Sequence, residues 1–312
     1  MLGSSGQVGS QLLLTLAPLG EVIAPSRADG WDLSDPSDLA FRVEQLAPEV
    51  IVNAAAYTAV DMAEAEPALA HRVNAEAPAA LATAARSLDA WLVHFSTDYV
   101  FDGRGSRPWC EDDPTGPLGV YGQSKLAGER AIEARHARHL MFRTSWVHGP
   151  RGGNFIRTML RLAGERESLS VVDDQVGAPT GAPLIAEVTA RAIARVTALE
   201  TTRKTARVQQ ALHLAGTYHL AAAGEASWWD VACQVLSEAR AQGAALRCSP
   251  EQVTPIPSTQ YPTPAQRPLN SRLNTRKLRE SFGLALPAWQ DGVHQTVQAV
   301  LAANPTTSSS QA

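Results

Sequence analysis

Cysteine is scarce in this chain. Cys110, Cys233 and Cys248 are the only three in 312 residues, odd in number and far apart. They supply neither a disulfide framework nor metal-ligand spacing, and they fit the reducing cytoplasm. Lysine is as rare, with Lys125, Lys204 and Lys277 the whole complement. Neither sign of charge is in excess: 27 Lys+Arg face 31 Asp+Glu, a net charge of -4. No basic surface is left over to track a phosphate backbone, so no nucleic-acid partner is expected. No apolar run reaches the roughly 18 to 20 residues that span a bilayer, so no membrane partner is expected either. The first residues, Met1 to Gly6, lack the basic start and apolar stretch of a signal peptide. Hydrophobic residues at 45% and charged residues at 19% are ordinary for a globular protein and exclude general disorder. The length suits one large α/β domain or two closely joined ones.

The first half alternates helical and strand patterns. Gln7 to Leu16 reads as a helix with Leu12, Leu13 and Leu16 on one side, and Glu21 to Pro25 as a short strand. Asp35 to Ala47 reads as a helix capped by Ser34 or Asp35, with Pro36 early. Val50 to Ala54 is a buried strand. An Ala-rich helical stretch runs from Val60 to Ser87, divided at Pro67 and Pro78. Trp91 to Ser96 is a strand, Gln123 to Arg135 a helix and His139 to Ser145 a strand. This alternation predicts parallel strands with right-handed helical crossovers. Beyond residue 146, helices are expected at Asn154–Glu165, Leu184–Ala198, Ser227–Ala241 and Pro287–Ala303. Short strands are expected at Ser168–Val172 and Thr217–Leu220. Five prolines between Pro255 and Pro268 predict a stiff extended loop, and Pro305 to Ala312 a disordered tail.

Gly3, Gly6 and Gly9 precede a helix at three-residue spacing. Such a loop lets the backbone approach a pyrophosphate at the helix N-terminus, where free N–H groups favour negative charge. A dinucleotide fold places a buried strand of about five residues before this loop, yet only Met1 and Leu2 precede Gly3. The strand is therefore shortened, or translation starts upstream; the second is the preferred expectation. The next strand ends in Ser26 and Arg27 where an acidic residue would bind a ribose 2′-hydroxyl. A guanidinium there suits a 2′-phosphate, which predicts a preference for NADPH, with NADH possible. Asp32 and Leu33 follow and border the adenosine.

Tyr121 and Lys125 stand four residues apart at the start of a helix and share one face. Five tyrosines and three lysines in 312 residues give a chance Tyr-x-x-x-Lys pair only about 0.05 times. A phenol titrates near 10, and a fixed positive charge beside it is expected to lower that value toward useful proton exchange. Thr97 and Asp98 end the preceding strand, where ligands of open α/β sheets collect. Thr97 offers a hydroxyl to a carbonyl oxygen, and Asp98 a carboxyl to a sugar hydroxyl or to protonation.

These residues carry a resemblance. The glycine loop, Asn53-Ala-Ala-Ala-Tyr-Thr-Ala-Val-Asp61, Ser96-Thr-Asp-Tyr-Val-Phe101, Tyr121-Gly-Gln-Ser-Lys-Leu-Ala-Gly-Glu129 and Arg143-Thr-Ser-Trp-Val147 resemble the extended short-chain dehydrogenase/reductases. Asn154-Phe155, Asp174-Gln-Val-Gly-Ala-Pro-Thr180 and the stretch from Tyr261 to Thr275 narrow the resemblance to the dTDP-4-dehydrorhamnose reductase family. It runs from Gly3 to about Val300. It implies an α/β fold with a doubly wound, Rossmann-like parallel sheet, its first strand truncated, and a smaller α/β substrate domain. The implied division gives residues 1–147 and about 183–222 to the dinucleotide and about 148–182 and 223–304 to the substrate.

By the same resemblance Tyr121 is the proton donor, Lys125 binds the nicotinamide ribose, and Thr97 and Asp98 contact the sugar. Gly6, Gln7 and Val8 line the pyrophosphate, and Ala55, Ala56 and Thr58 the cofactor cleft. Trp146 is a wall for a deoxysugar, Asn154 a further substrate contact, and Arg267 and Ser271 face the nucleotide diphosphate. The implied reaction is reduction of a C4 keto group on a dTDP-sugar. A reductase for a related dTDP-4-keto-6-deoxyhexose and a non-catalytic regulatory subunit are the alternatives on this fold. A homodimer and a Mg2+ requirement are left open, since no carboxylate cluster has ligand spacing.

Overall fold

The computed structural model describes residues 1–200 and 205–303. Among these, six strands have four or more residues: β1 (Val50–Asn53), β2 (Trp91–Thr97), β3 (His139–Thr144), β4 (Leu169–Val172), β5 (Gly216–His219) and β6 (Val253–Ile256). The helices that matter below are α1 (Gln7–Leu16), α2 (Leu39–Leu46), α3 (Ala77–Leu88), α4 (Val120–Arg135), α5 (Phe155–Glu165), α6 (Ala182–Glu200), α7 (Trp228–Ala241) and α8 (Trp289–Ala303).

The main sheet has the order β1-β2-β3-β5, and every pairing in it is parallel. Parallel sheets need cover on both faces, which is why β2 and β3 read as continuous apolar runs. On one face Leu39 and Val43 of α2, Leu81 and Ala85 of α3 and Ile132 of α4 pack against Ile51, Leu92 and Met141. On the other, Leu12 and Leu16 of α1 with Ile185 and Ile193 of α6 cover Val93, Leu140 and Phe142. A separate core joins α5, α7 and α8 to β4 through Ile156, Val235, Leu236, Val293 and Val171. There β4 pairs in parallel with β6, across a long separation in sequence.

Where a first strand would lie, Leu2 makes one parallel bridge to Asn53. Its N–H donates to Val52 O (2.9 Å) and its carbonyl accepts from Ala54 N–H (3.0 Å). The Met1 ammonium reaches across to Ile23 O (2.6 Å). Behind this bridge lies a groove of about 420 Å³, walled by Ile23, Trp31, Val43, Val50 and Ile193. The strand expected at Glu21–Pro25 does not form. It lines the far wall of the groove, and a strand requires a neighbouring backbone to pair with.

Three further expectations are corrected. The helix expected at Asp35–Ala47 begins only at Leu39, because Asp32 and Asp35 accept N–H bonds from Ser34 and Ser37 and turn the chain first. Pro67 does divide the Val60–Ser87 stretch, but Pro78 does not. A π-helical turn, Arg72–Glu76, leads into α3, and Pro78 occupies its first turn, where no N–H is needed. Pro255, expected in a loop, is a residue of β6 opposite Val171. The tail expected at 305–312 lies outside the described residues. Among the described residues, no helix is long and apolar enough to cross a membrane.

Candidate active site

The glycine loop is shaped by close approach. Gly3 has φ +80°, and a Cβ there would lie 2.5 Å from the Ala55 nitrogen; a Cβ on Gly9 would collide with the Gly3 carbonyl. Only glycine fits such a backbone crossing. Gly6 caps α1 with extended backbone and no side-chain bond, so the first N–H groups of the helix stay available. Gly3, Ser26, Arg27, Leu33, Ala55 and Ala56 all line one cavity of about 450 Å³. Ser26, Arg27 and Leu33 were expected at the adenosine end of a dinucleotide, Gly3 in its pyrophosphate loop and Ala55 and Ala56 in the cofactor cleft; Asp32 and Thr58 do not line this cavity.

Other members of the set lie differently. The Ser26 hydroxyl donates to Asp29 Oδ2 (2.7 Å), closing a capping box that brings an acidic group beside Arg27. Asp32 accepts from Ser34 N–H (3.0 Å) and faces Arg27 Nε at 3.5 Å. Val8 packs into the core beneath the loop, and Thr58 is exposed. Gln7 Oε1 accepts from Asn154 Nδ2 (2.9 Å), whose Oδ1 caps α5 through Arg157 N–H. Asn154 is thus tied to the glycine loop and to its own helix.

Thr97 and Asp98 come at the carboxyl end of β2, and Tyr121 and Lys125 on the first turns of α4. Two contacts aim that helix. Glu64 Oε1 accepts the Val120 N–H (2.9 Å). Asn74, buried on the π-helical turn, donates to Ser124 Oγ (3.0 Å) and brackets Tyr57 through both its N–H and its carbonyl. The Tyr121 hydroxyl lies close enough to Thr97 to feel its side chain. Thr97 Oγ1 donates to Asp98 Oδ1 (3.1 Å) and accepts from Tyr99 N–H (3.2 Å). Lys125 is 2% exposed, and its Nζ donates to Phe95 O at 2.6 Å.

The electrostatics differ from expectation. Burial pushes the Tyr121 phenol up to about 12, against the pull of the nearby Thr97 hydroxyl. Burial also brings Lys125 down to about 8, opposed by Glu129. Burial and Asp98 raise the phenol, and Lys125 is not among the groups that act on it, so the expected lowering by the lysine is not seen in the protein alone. The phenol remains a protonated donor throughout the neutral range.

Asp98 is raised to about 6, mainly by burial. The Ser271 hydroxyl lies close enough to favour its charged form, yet neither Asp98 Oδ2 nor Ser271 Oγ completes a hydrogen bond of good geometry. Two neighbouring buried, unpartnered oxygens suit a polyhydroxyl ligand, because such groups are costly unless paired.

Trp146 has φ +49°, a strained conformation for a non-glycine residue. Its ring stacks on Trp228 with centroids 3.7 Å apart and an 11° tilt. Trp228 Nε1 donates to Gln175 Oε1 (3.2 Å), and Phe155 packs on its ring. Arg267 is held by Asp61, Nη2 to Oδ2 at 2.7 Å, and is part-buried rather than free at the surface. Trp228, Gln175, Asp61 and Asn74 were not singled out by sequence reasoning. The Trp228-Trp229 doublet after a Ser-x-x-Asp cap was the one signal that pointed toward this wall.

Known proteins share this architecture. Residues 1–302 match the family model described as the RmlD substrate binding domain. A dTDP-4-dehydrorhamnose reductase of Escherichia coli (strain K12) is 50% identical over 299 residues, covering 94% of each chain. A crystal structure of a dTDP-4-dehydrorhamnose reductase from Clostridium acetobutylicum has a TM-score of 0.81 at 31% identity, covering 95% of this chain and 97% of that one. The enzyme of that name from Bacillus anthracis, solved in complex with NADP, has a TM-score of 0.80 at 32% identity, with 95% and 96% covered. A glycine-lined cavity, a Thr–Tyr–Lys group at the carboxyl end of the central sheet and this likeness over nearly the whole chain lead to one conclusion: the chain belongs to the dTDP-4-dehydrorhamnose reductase family.

Proposed function

We propose that this chain reduces the C4 keto group of dTDP-4-dehydro-L-rhamnose to dTDP-L-rhamnose. NADPH is the preferred cofactor and NADH is tolerated. The observation that carries the reading is Tyr121 next to Thr97, one helical turn from buried Lys125, with the glycine-lined cavity one strand away. A bound nicotinamide supplies the hydride that reduces the carbonyl carbon. Gly3, Gly6, Gln7, Val8 and Gly9 form the pyrophosphate cradle. Leu33, Ala55, Ala56 and Thr58 line the cofactor cleft, and Lys125 holds the nicotinamide ribose.

Arg27 answers a 2′-phosphate with Ser26 beside it, while Asp29 and Asp32 leave an acceptor for a bare 2′-hydroxyl. This juxtaposition underlies the preference for NADPH without exclusion of NADH.

Tyr121 and Thr97 hold the sugar carbonyl oxygen. As charge builds on that oxygen, the Tyr121 hydroxyl stabilises it, joined by the Thr97 hydroxyl once it turns from Asp98. The neutral Tyr121 phenol then delivers the proton. Asp98 and Ser271 take sugar hydroxyls into their unpaired oxygens, and Trp146, backed by Trp228, walls the deoxysugar methyl side. Arg267, held by Asp61, faces the diphosphate. Asn154 acts through Gln7 on the glycine loop instead of touching sugar. Residues 1–147 with 183–222 carry the cofactor, and 148–182 with 223–304 the substrate. The reaction partners are small molecules, and the working compartment is the cytoplasm.

The test follows nicotinamide absorbance with freshly generated dTDP-4-dehydro-L-rhamnose, NADPH and NADH in parallel. Oxidation faster with NADPH, and slowed on the order of 10²–10⁴-fold in Tyr121→Phe, is the expected result. A Tyr121→Phe variant with near-normal turnover contradicts the assignment. A folded, NADPH-binding protein that oxidises nothing favours another keto-sugar or a regulatory role.

A further inference from the structure

Beneath the lysine lies a second buried group that the mechanism above does not use. His94, on β2 and 1% exposed, reaches Lys125 Nζ through its Nε2 at 3.3 Å. Its Nδ1 meets Asn53 Nδ2 on the neighbouring strand at 3.2 Å. The register pairs Asn53 directly with His94, so β1 and β2 bring these side chains together. Asn53 Oδ1 in turn accepts the Ala55 N–H at 3.2 Å, in the loop that lines the cofactor cavity. The result is a continuous chain from the Ala55 backbone through Asn53 and His94 to Lys125, closed by the Phe95 carbonyl.

Counting donors fixes the direction of this chain. The Ala55 N–H needs an acceptor, so Asn53 presents its oxygen there and its N–H₂ to His94 Nδ1. Nδ1 must then be bare. Burial keeps the imidazole neutral, with Lys125 and His139 adding to the effect. A neutral imidazole carries one proton, which is left for Nε2 and points at Lys125 Nζ. If the lysine donated to Nε2 instead, the ring proton would stand on Nδ1 against the Asn53 N–H₂. Turning the Asn53 amide would only move that clash to the Ala55 N–H. A donor at Nε2 is satisfied by the lone pair of an uncharged amine.

We propose that His94 is a positioning residue for Lys125: Asn53 locks its imidazole in the Nε2–H tautomer, and that N–H fixes the lysine nitrogen and favours its amine form. The inference rests on Lys125 being the ribose-binding lysine of the active site. The other charged groups in reach are few. His139 on β3 lies beside His94, and Glu129 on α4 acts on Lys125 while paired to Arg143. Of these Glu129 favours the ammonium, so His94 and Glu129 pull the lysine in opposite directions.

Scarcity of lysine makes the test direct. The full-length chain labelled with ¹³C at lysine Cε gives signals from only Lys125, Lys204 and Lys277, and Lys125→Met assigns one of them. In the native chain the Lys125 signal is expected to titrate below an ordinary lysine. In His94→Gln and His94→Phe it is expected to move up by about one pH unit, since both remove the imidazole donor. In the enzyme assay, the alkaline limb of kcat against pH moves up with it, more in His94→Gln, whose carboxamide oxygen can accept from the ammonium. A purely structural role lowers Tm and leaves both titrations where they were, which overturns the proposal. Imidazole ¹⁵N shifts of the native chain give a second reading that needs no variant. Protonated Nε2 with bare Nδ1 supports the proposal, and the reverse tautomer overturns it. Both NMR readings stand even if the keto-sugar proves to be the wrong substrate.

Discussion

Asp98 shows what a single residue in this site gives up for its chemistry. The residue is 2% exposed, one carboxyl oxygen is occupied by Thr97, and the other has no partner. Burial raises it to about 6, from an ordinary 3.8. A carboxyl group raised in the fold binds its proton more tightly when folded than when unfolded. It costs nothing below about pH 3.8, and the fold loses stability as pH rises from there through about 6. Asp98→Asn is therefore expected to melt a few degrees above the native chain at pH 7.5, with the difference gone near pH 3.5. Equal melting at pH 7.5 would show that the charged carboxyl is not penalised. Tyr121 and Lys125 were legible in the sequence because scarce chemical types stood at helical spacing, and Thr97 and Asp98 because they end a strand. His94, Trp228 and Asp61 were not. Their partners lie 31, 82 and 206 positions away, and no local period marks them.

At the scale of elements, the sequence reads well wherever an element is held by its own pattern. Helices α1, α4 and α7 and strands β2 and β3 fall within a few residues of expectation. It reads poorly where a neighbour decides. Glu21–Pro25 has strand-like composition and no strand, because the slot between it and β1 holds only Met1 and Leu2. The π-helical turn at Arg72–Glu76 exists to carry Asn74 to Tyr57 and Ser124, a long-range reason that periodicity cannot express. The groove itself makes a prediction. Five extended residues of alternating Val and Ile, added ahead of Met1, would continue the Leu2 bridge along β1. Each buried aliphatic side chain contributes roughly 1.5–3 kcal/mol. The extended chain is expected to melt well above the present one and to slow amide exchange at Glu21–Pro25. Unchanged melting and exchange would mean that the groove cannot admit a strand.

In the whole molecule, two cores supply one candidate site. The parallel sheet brings the glycine loop, Thr97 and Tyr121 to one edge. The second core brings Trp146, Trp228 and Ser271 to face them, with Arg267–Asp61 and Arg272–Glu225 tying the 261–275 stretch across. The alternation of strands and helices made the first core predictable. The helices of the second core and β4 were legible too; its assembly was not, because β4 and β6 pair across more than 80 residues. Resemblance supplied what periodicity could not. The central claim is that this site moves a hydride onto C4 of a dTDP-keto-sugar. The most direct measurement is reduction with NADPH deuterated at the transferring position of its nicotinamide, followed by NMR of the sugar product. One deuterium at C4 of dTDP-L-rhamnose is the predicted result; cofactor oxidised without label at C4, or no product at all from a folded, cofactor-bound chain, would contradict it.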